Sequence, residues 1–186
     1  MNLWFRLIWM VLTARLRGKV QLFDTSVLRL RVLPNDLDLN GHVNNGRYFT
    51  LADLGRLDFV IRTGAARVAI ANRAFPLIGD AVAKFRRDLK LFQRYDLQSR
   101  LLGWGDKWFF MEQRFVRGGR VAGVVMIRGQ LRTAGGPLSP RTLLAGLGLA
   151  RDTASPPLPD WALAWHRSCD ALGEALREEE RDKADR

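Results

Sequence analysis

One apolar helix set among alternating strands constrains this fold more than any other feature of the sequence. The helix is predicted to run to about Arg62, with Asn44 or Asn45 able to cap its start and Gly64 able to end it. Apolar residues occupy nearly its whole circumference, so we expect it to be buried rather than to lie on a surface. These residues are Tyr48, Phe49, Leu51, Ala52, Leu54, Leu57, Val60 and Ile61.

Residues of alternating polarity before and after this helix predict strands, because successive side chains of a strand point to opposite faces. Gly118 and Gly119 supply a hairpin turn between the last two strands, and Gly123 and Gly129 predict bulges or bends in the last one. The sequence therefore predicts an α+β fold, an antiparallel sheet of about five strands wrapped around a long central helix. The predicted strands are residues 28–33, 83–91, 96–102, 108–117 and 121–132.

Helical extensions are predicted at both ends of the chain. Ser139 and Pro140 can start a short helix to about Leu149. A proline-rich linker, residues 155–159, precedes a final helix that Asp160 caps. We therefore expect three regions, which are a basic apolar N-terminal segment (1–20), a central domain (21–135) and a C-terminal helical extension (136–186).

The N-terminal segment is basic and rich in apolar residues, and it contains no acidic residue. Its continuous apolar run, residues 7–12, is far shorter than the roughly 20 residues that span a bilayer. On a helical wheel Arg6, Thr13 and Arg17 share one face. Two interpretations stay open, an interfacial helix on anionic lipid or a terminal helix packed on the domain or on its dimer partner.

The formal net charge of +11 favours anionic partners. These include a CoA ester, an acidic carrier, a membrane surface or a nucleic acid. The case for a nucleic acid rests on charge alone, because the sequence has no nucleic-acid recognition motif, and we expect no nucleic-acid binding. Cys169 is the only cysteine, which excludes an intrachain disulfide and fits a reducing, cytoplasmic location. With His42 and His166 as the only other soft ligands, we expect no metal site and no cofactor.

The loop before the central helix carries the chemistry. Residues 34–48 combine carboxylates, an imidazole, carboxamides and glycines in a turn between a strand and a helix. The positive end of a helix dipole stabilises negative charge that develops beside it. Polar side chains at this place therefore suggest a site for a reaction with an anionic transition state.

The sequence Asp36-Leu-Asp-Leu-Asn-Gly-His-Val-Asn-Asn45, with Tyr48 three residues on, resembles the signature of hotdog-fold acyl-CoA thioesterases of the 4-hydroxybenzoyl-CoA type. Asp53 and Arg56 fit the acidic residue and arginine that follow in that family's helix, although the family usually has Glu at the first position. The resemblance covers about residues 28–132, and the extensions further resemble the subset near thioesterase superfamily member 6. It implies a hotdog fold that hydrolyses acyl-CoA or acyl-carrier thioesters.

The resemblance also implies an assembly and a set of roles. The second Asp of the motif, Asp38, would be nucleophile or general base, and backbone N–H groups of residues 42–45 would hold the oxyanion. His42 and Asp53 are the other catalytic candidates. One sheet around one helix leaves an exposed edge, so we expect a homodimer or a dimer of dimers. The candidate substrate-binding residues are Asn40, Gly41, Val43, Asn44, Asn45 and Tyr48.

Each candidate residue has a structural alternative. Asp38 could cap the helix, His42 could be a hydrogen-bonded loop residue, and Asp53 could pair with Arg56. Asp36 is expected to be structural, paired with the strand or a nearby arginine, and Tyr48 to pack in the core. For the whole protein, the alternative to catalysis is an acyl- or lipid-binding module held at a membrane by its first 20 residues.

Overall fold

The computed structural model describes residues 3–184, so residues 1 and 2 of the predicted N-terminal segment and 185–186 of the predicted extension lie outside the described residues. An irregular chain, including a 3₁₀ turn at Pro34–Asp36, joins the first strand to the central helix. The elements are α1 (Leu3–Ala14, followed by a 3₁₀ turn at Arg15–Arg17), β1 (Ser26–Arg31), α2 (Asn45–Thr63), α3 (Ala65–Ala71), β2 (Phe75–Phe85), β3 (Arg94–Trp104), β4 (Phe109–Arg117), β5 (Arg120–Thr133), β6 (Gly136–Pro137), α4 (Pro140–Gly146) and α5 (Asp160–Ala184).

The sheet is antiparallel and its long strands follow the order β1-β3-β4-β5-β2, with the two-residue β6 beside β5. Helix α2 packs against β1 and against β2 to β5, and its residues Leu51 and Leu54 are fully buried. A Cβ atom on Gly55 would stand 2.5 Å from the Ser99 hydroxyl, so a glycine is needed where β3 approaches the helix. The predicted α+β arrangement, a sheet around one central helix, is confirmed.

The register of the sheet shifts beside both glycines of β5. The β4–β5 pairing skips a residue between Gly123 and Val121, and the β2–β5 pairing skips one opposite Gly129.

The end of β2 differs from the predicted strand boundary. The strand expected at 83–91 ends at Phe85, because the next residues turn away, and Leu89 then inserts into the core with no exposed surface.

Helix α1 belongs to the same compact unit as the sheet. The chain divides into two such units between Ser155 and Pro156, inside the predicted linker, and α1, the sheet and α4 all fall in the first unit. Within residues 3–184, no helix combines the length and the apolar character needed to cross a membrane.

A buried ion cluster ties the end of α1 to the end of α2. Asp58 has no exposed surface, and its Oδ1 lies 2.5 Å from Nη2 of Arg17, while its Oδ2 lies 3.2 Å from Nη1 of Arg62. Arg62 also donates to the backbone oxygens of Arg17 and Gly18. We call Arg17, Asp58 and Arg62 the Asp58 cluster.

Candidate active site

A tight loop holds the signature residues in front of α2. Leu37 and Val43 form an antiparallel bridge, and across it the Asp38 N–H donates to the His42 oxygen at 2.9 Å. The Gly41 N–H donates back to the Asp38 oxygen at 3.1 Å. Gly41 has a φ of +74°, the left-handed conformation that favours glycine at the end of such a turn. The loop therefore fixes Asp38 and His42 side by side.

The Asp38 carboxylate is partly exposed and has no cationic neighbour of fixed charge. Its side chain is 20% exposed; Oδ1 accepts the Asn40 N–H at 2.9 Å, and Oδ2 lies 3.4 Å from His42 Nδ1. Among residues 3–184, His42 is its only ion-pair partner. A carboxylate that no arginine or lysine neutralises keeps lone pairs free for a proton or a carbonyl carbon.

Asp36, two residues earlier, has the opposite surroundings. It has no exposed surface. Its Oδ2 lies 2.6 Å from Arg6 Nη2 and accepts the Leu33 N–H at 2.9 Å, and its Oδ1 lies 2.9 Å from Arg47 Nη2. The expected pairing with an arginine is present twice. We call Arg6, Asp36 and Arg47 the Asp36 cluster, and its contacts hold the start of the loop against α1 and α2.

Asn44 caps α2. Its side-chain oxygen accepts the Gly46 N–H at 2.8 Å, and its own N–H donates to the backbone oxygen of Asp36. The predicted cap at Asn44 or Asn45 is thus at Asn44, which leaves Asp38 free of that role. The Arg47 N–H donates to the Asn44 oxygen at 2.9 Å.

The Asn45 N–H is the remaining donor of this first turn. The first residue of a helix has no intrahelical acceptor for its N–H, and within the described part of the chain no other acceptor is recorded for it. Asn45 is exposed, at the positive end of the α2 dipole. A free N–H at this end of a helix suits the oxygen of a tetrahedral intermediate.

Asp53 is held by Arg56, as the structural alternative expected. The two side chains form an ion pair on α2, with the Asp53 side chain 55% exposed. Arg56 also donates to Gln113 Oε1 at 3.1 Å, and burial lowers the pKa of Arg56 to about 10. Over residues 3–184 the structure records no contact between Asp53 and Asp38, and the catalytic role of Asp53 stays a prediction.

Comparison with known proteins decides the family. The family described as "Thioesterase-like superfamily" matches residues 32–166, which is more than half of the chain. The chain belongs to the thioesterase-like superfamily. A zebrafish (Danio rerio) relative, Protein THEM6, is 29% identical over 183 residues, which cover 96% of this chain and 88% of the relative.

Two further likenesses carry the word thioesterase in their names. Thioesterase lcsJ of Purpureocillium lilacinum is 29% identical over 120 residues, covering 53% of this chain and 39% of that protein. The solved structure of a gentisyl-coenzyme A thioesterase superposes with a TM-score of 0.57 at 21% identity, covering 66% of this chain and 99% of that one. At this identity the likeness shows the fold, which confirms that this superfamily member has the predicted hotdog fold.

The candidate substrate-binding residues of this superfamily member fall into two groups. Val43 and Tyr48 are buried, and the Tyr48 ring packs edge-to-face on Phe85 and Phe115 at 5.1 and 4.7 Å between centroids. Burial, followed by the charge of Asp88, raises the pKa of Tyr48 to about 12. The exposed members of the set are Asn40, Gly41, Asn44 and Asn45.

Three residues that the sequence analysis did not assign to the site lie in or beside this loop. Arg6 could not be found from spacing, because it lies 30 residues before its partner Asp36. Leu39 is fully exposed at the tip of an otherwise polar loop, which is a signal that the sequence does carry. Phe92 is exposed with a φ of +59°, rare for an aromatic residue, and it lies two residues after Lys90, which bridges to His42.

Proposed function

We propose that this member of the thioesterase-like superfamily hydrolyses acyl-CoA or acyl-carrier thioesters at Asp38. The observation that carries the proposal is the contrast with Asp36: within residues 3–184, Asp38 has no cation of fixed charge beside it and stands before a helix whose first N–H has no recorded acceptor. Two similar proteins are named thioesterases, which supports the same chemistry here.

Hydrolysis needs an oxygen nucleophile and a place for negative charge. In the general-base route, an Asp38 oxygen takes a proton from water, the water oxygen bonds to the thioester carbon, and the carbonyl oxygen becomes an oxyanion. The C–S bond then breaks, and the thiolate leaves and is protonated. In the nucleophilic route the Asp38 oxygen attacks the thioester carbon first, the C–S bond breaks and the thiolate leaves, and water then hydrolyses the resulting anhydride to the free acid and the Asp38 carboxylate. His42 Nδ1, 3.4 Å from Asp38 Oδ2, orients the carboxylate in both routes.

Substitution of Asp38 tests the proposal. Asp38→Asn keeps the shape of the side chain and removes its basicity, so we expect hydrolysis of short soluble acyl-CoA esters to fall by about 10²–10⁴-fold. Binding of the same esters, measured by calorimetry, should persist. Wild-type turnover by the variant would remove Asp38 from the reaction. Tight acyl-CoA binding by the wild-type protein without turnover would instead favour the non-catalytic binding module.

The Asn45 N–H can be tested separately, because position 45 is the first residue of α2. Proline is favoured at that position and lacks an N–H, and the ψ of +139° at Asn44 suits a following proline. Asn45→Pro should therefore fold normally and lose about 10²–10³-fold in kcat. Asn45→Ala, which keeps the N–H, is the control and should retain the wild-type kcat within a few-fold; equal rates for the two variants would place the oxyanion elsewhere.

A second copy of the chain is part of the proposal. Strand β2 is an edge of the sheet, and its exposed apolar side chains form an unprotected edge of the kind that pairs with another strand. Val82→Lys would place a charge there, and we expect it to shift the molecular mass measured by light scattering from dimer to monomer. An unchanged mass would move the interface elsewhere. The exposed apolar residues are Phe75, Leu77, Ile78, Val82 and Phe85.

A further inference from the structure

Helix α1 and its 3₁₀ turn have their polar and apolar faces in an unusual orientation. Arg6 is buried in the Asp36 cluster, and Arg17 reaches into the Asp58 cluster. An ordinary surface helix buries its apolar stripe and exposes its charges; here Arg6 is buried beside Met10 and Ala14, while most of the large apolar side chains face outward. The side chains left exposed are mostly large and apolar, namely Trp4, Phe5, Ile8, Trp9, Val11, Leu12 and Leu16.

The two ion clusters fix this orientation. Turning the apolar face inward would withdraw Arg6 from Asp36 and Arg17 from Asp58, and would leave two buried carboxylates short of a partner. Soluble proteins rarely expose contiguous apolar surface of this kind unless something binds it. The outward face of α1 is therefore a built feature of the domain that needs an apolar partner.

The charges around this face favour an anionic bilayer over a second copy of the chain. Arg15 and Lys19 are exposed at its C-terminal end, and no acidic residue occurs before Asp24. A symmetric contact would bring the same patch together twice, so two copies would meet with cations and without carboxylates to pair them. Tryptophan and basic residues are the side chains that settle at the boundary of acyl chains and headgroups.

We infer that α1 and its 3₁₀ turn dock this protein on anionic membranes, with the helix lying in the plane of the surface. The 12-residue helix is about 18 Å long, too short to cross a bilayer. Its apolar side chains enter the acyl boundary, and Arg15 and Lys19 contact headgroup phosphates. Docking holds whether or not Asp38 is catalytic. If both hold, hydrolysis takes place where amphipathic acyl thioesters concentrate.

Sedimentation with vesicles tests the inference. The purified full chain is mixed with vesicles of phosphatidylcholine alone or of phosphatidylcholine and phosphatidylglycerol in equal parts. We expect binding to the mixed vesicles that weakens in high salt. Phe5→Glu and Leu12→Glu should each weaken it by about tenfold or more. Ile70→Glu on α3 is the matched control, because Ile70 is 76% exposed and Leu12 is 73% exposed, and it should bind like the wild type.

Charge reversal tests the second half of the inference. Arg15→Glu/Lys19→Glu should abolish the preference for phosphatidylglycerol, whereas Arg117→Glu/Arg120→Glu on the β4–β5 turn, with the same change of net charge, should preserve it. Circular dichroism of every variant checks folding. The inference is overturned if the wild type binds neither kind of vesicle, if Ile70→Glu loses as much binding as Leu12→Glu, or if Leu12→Glu dissociates a dimer without changing vesicle binding.

Discussion

Asp36 and Asp38 lie two residues apart in one motif, yet their surroundings are opposite. Asp36 is sealed from solvent between the guanidinium groups of Arg6 and Arg47. Asp38 is 20% exposed, and in the described part of the chain its only ion-pair partner is His42. A carboxylate saturated by two fixed cations serves structure, whereas one that keeps free lone pairs can serve chemistry. The comparison teaches that the neighbours of each carboxylate, rather than the motif, divide the two roles.

The largest effect on stability should come from Asp36. Asp36→Ala leaves the buried Arg6 and the half-buried Arg47 without their shared partner, and we expect the free energy of unfolding to fall by about 3–5 kcal/mol. Asp38→Ala should change it by less than about 0.5 kcal/mol, since it removes no buried pair. Urea denaturation of the two variants measures both values. Equal losses would contradict the division of roles.

The Asp58 cluster is a control for the Asp36 cluster, because it also joins one aspartate to two arginines but lies at the other end of α2. Asp58→Ala should lose a similar 3–5 kcal/mol or so but leave the kcat of the folded protein unchanged. Asp36→Ala should in addition lower kcat by about tenfold or more, since displacing the loop misplaces Asp38. Both rates are measured at a temperature where each variant is folded. A kcat loss shared by both variants would mean that neither cluster is specific to the site.

The fold and the motif could be predicted from the sequence because both depend on local patterns. Apolar spacing predicted α2 and most of the sheet, and residue type narrowed the cap to Asn44 or Asn45, of which the structure shows Asn44. The sequence could not assign Arg6 to Asp36, because that pair joins residues 30 positions apart, and no period marks such a contact. The strand expected at 83–91 failed for a related reason. Leu89 alternates with its neighbours as a strand residue does, but tertiary packing draws it into the core.

A smaller loss of stability is expected at Asn44, the N-cap of α2. Asn44→Ala removes the acceptor for the Gly46 N–H, and we expect a loss of about 1 kcal/mol in the free energy of unfolding. Asn44→Asp, which keeps an acceptor at the positive end of the helix, should retain the wild-type value. If Asp38→Ala instead costs this amount and Asn44→Ala costs nothing, Asp38 is the cap and the comparison with Asp36 fails.

The smallest expected effect is a shift in the pH at which the tyrosines ionise, which is measured by absorbance. Tyr48 and Tyr95 are the only tyrosines, and burial raises the pKa of each; at Tyr95 the charge of Arg6 lowers the pKa and the charge of Asp36 raises it. Their contribution to stability is complete below pH 10 and is lost as the pH rises through the folded pKa, about 12 for Tyr48. Asp36→Asn should therefore lower the pH at which tyrosinate absorbance appears. Asp38→Asn should leave it unchanged, and a shift in that variant would place its charge in the core.

The most direct test of the account is a crystal structure of Asp38→Asn with a non-hydrolysable acyl-CoA analogue. The account predicts the carbonyl carbon at about 3–3.5 Å from the residue 38 side chain and the carbonyl oxygen at about 2.7–3.1 Å from the Asn45 nitrogen. An acyl group bound with its carbonyl away from both atoms would contradict the assignment of Asp38 as the reacting carboxylate.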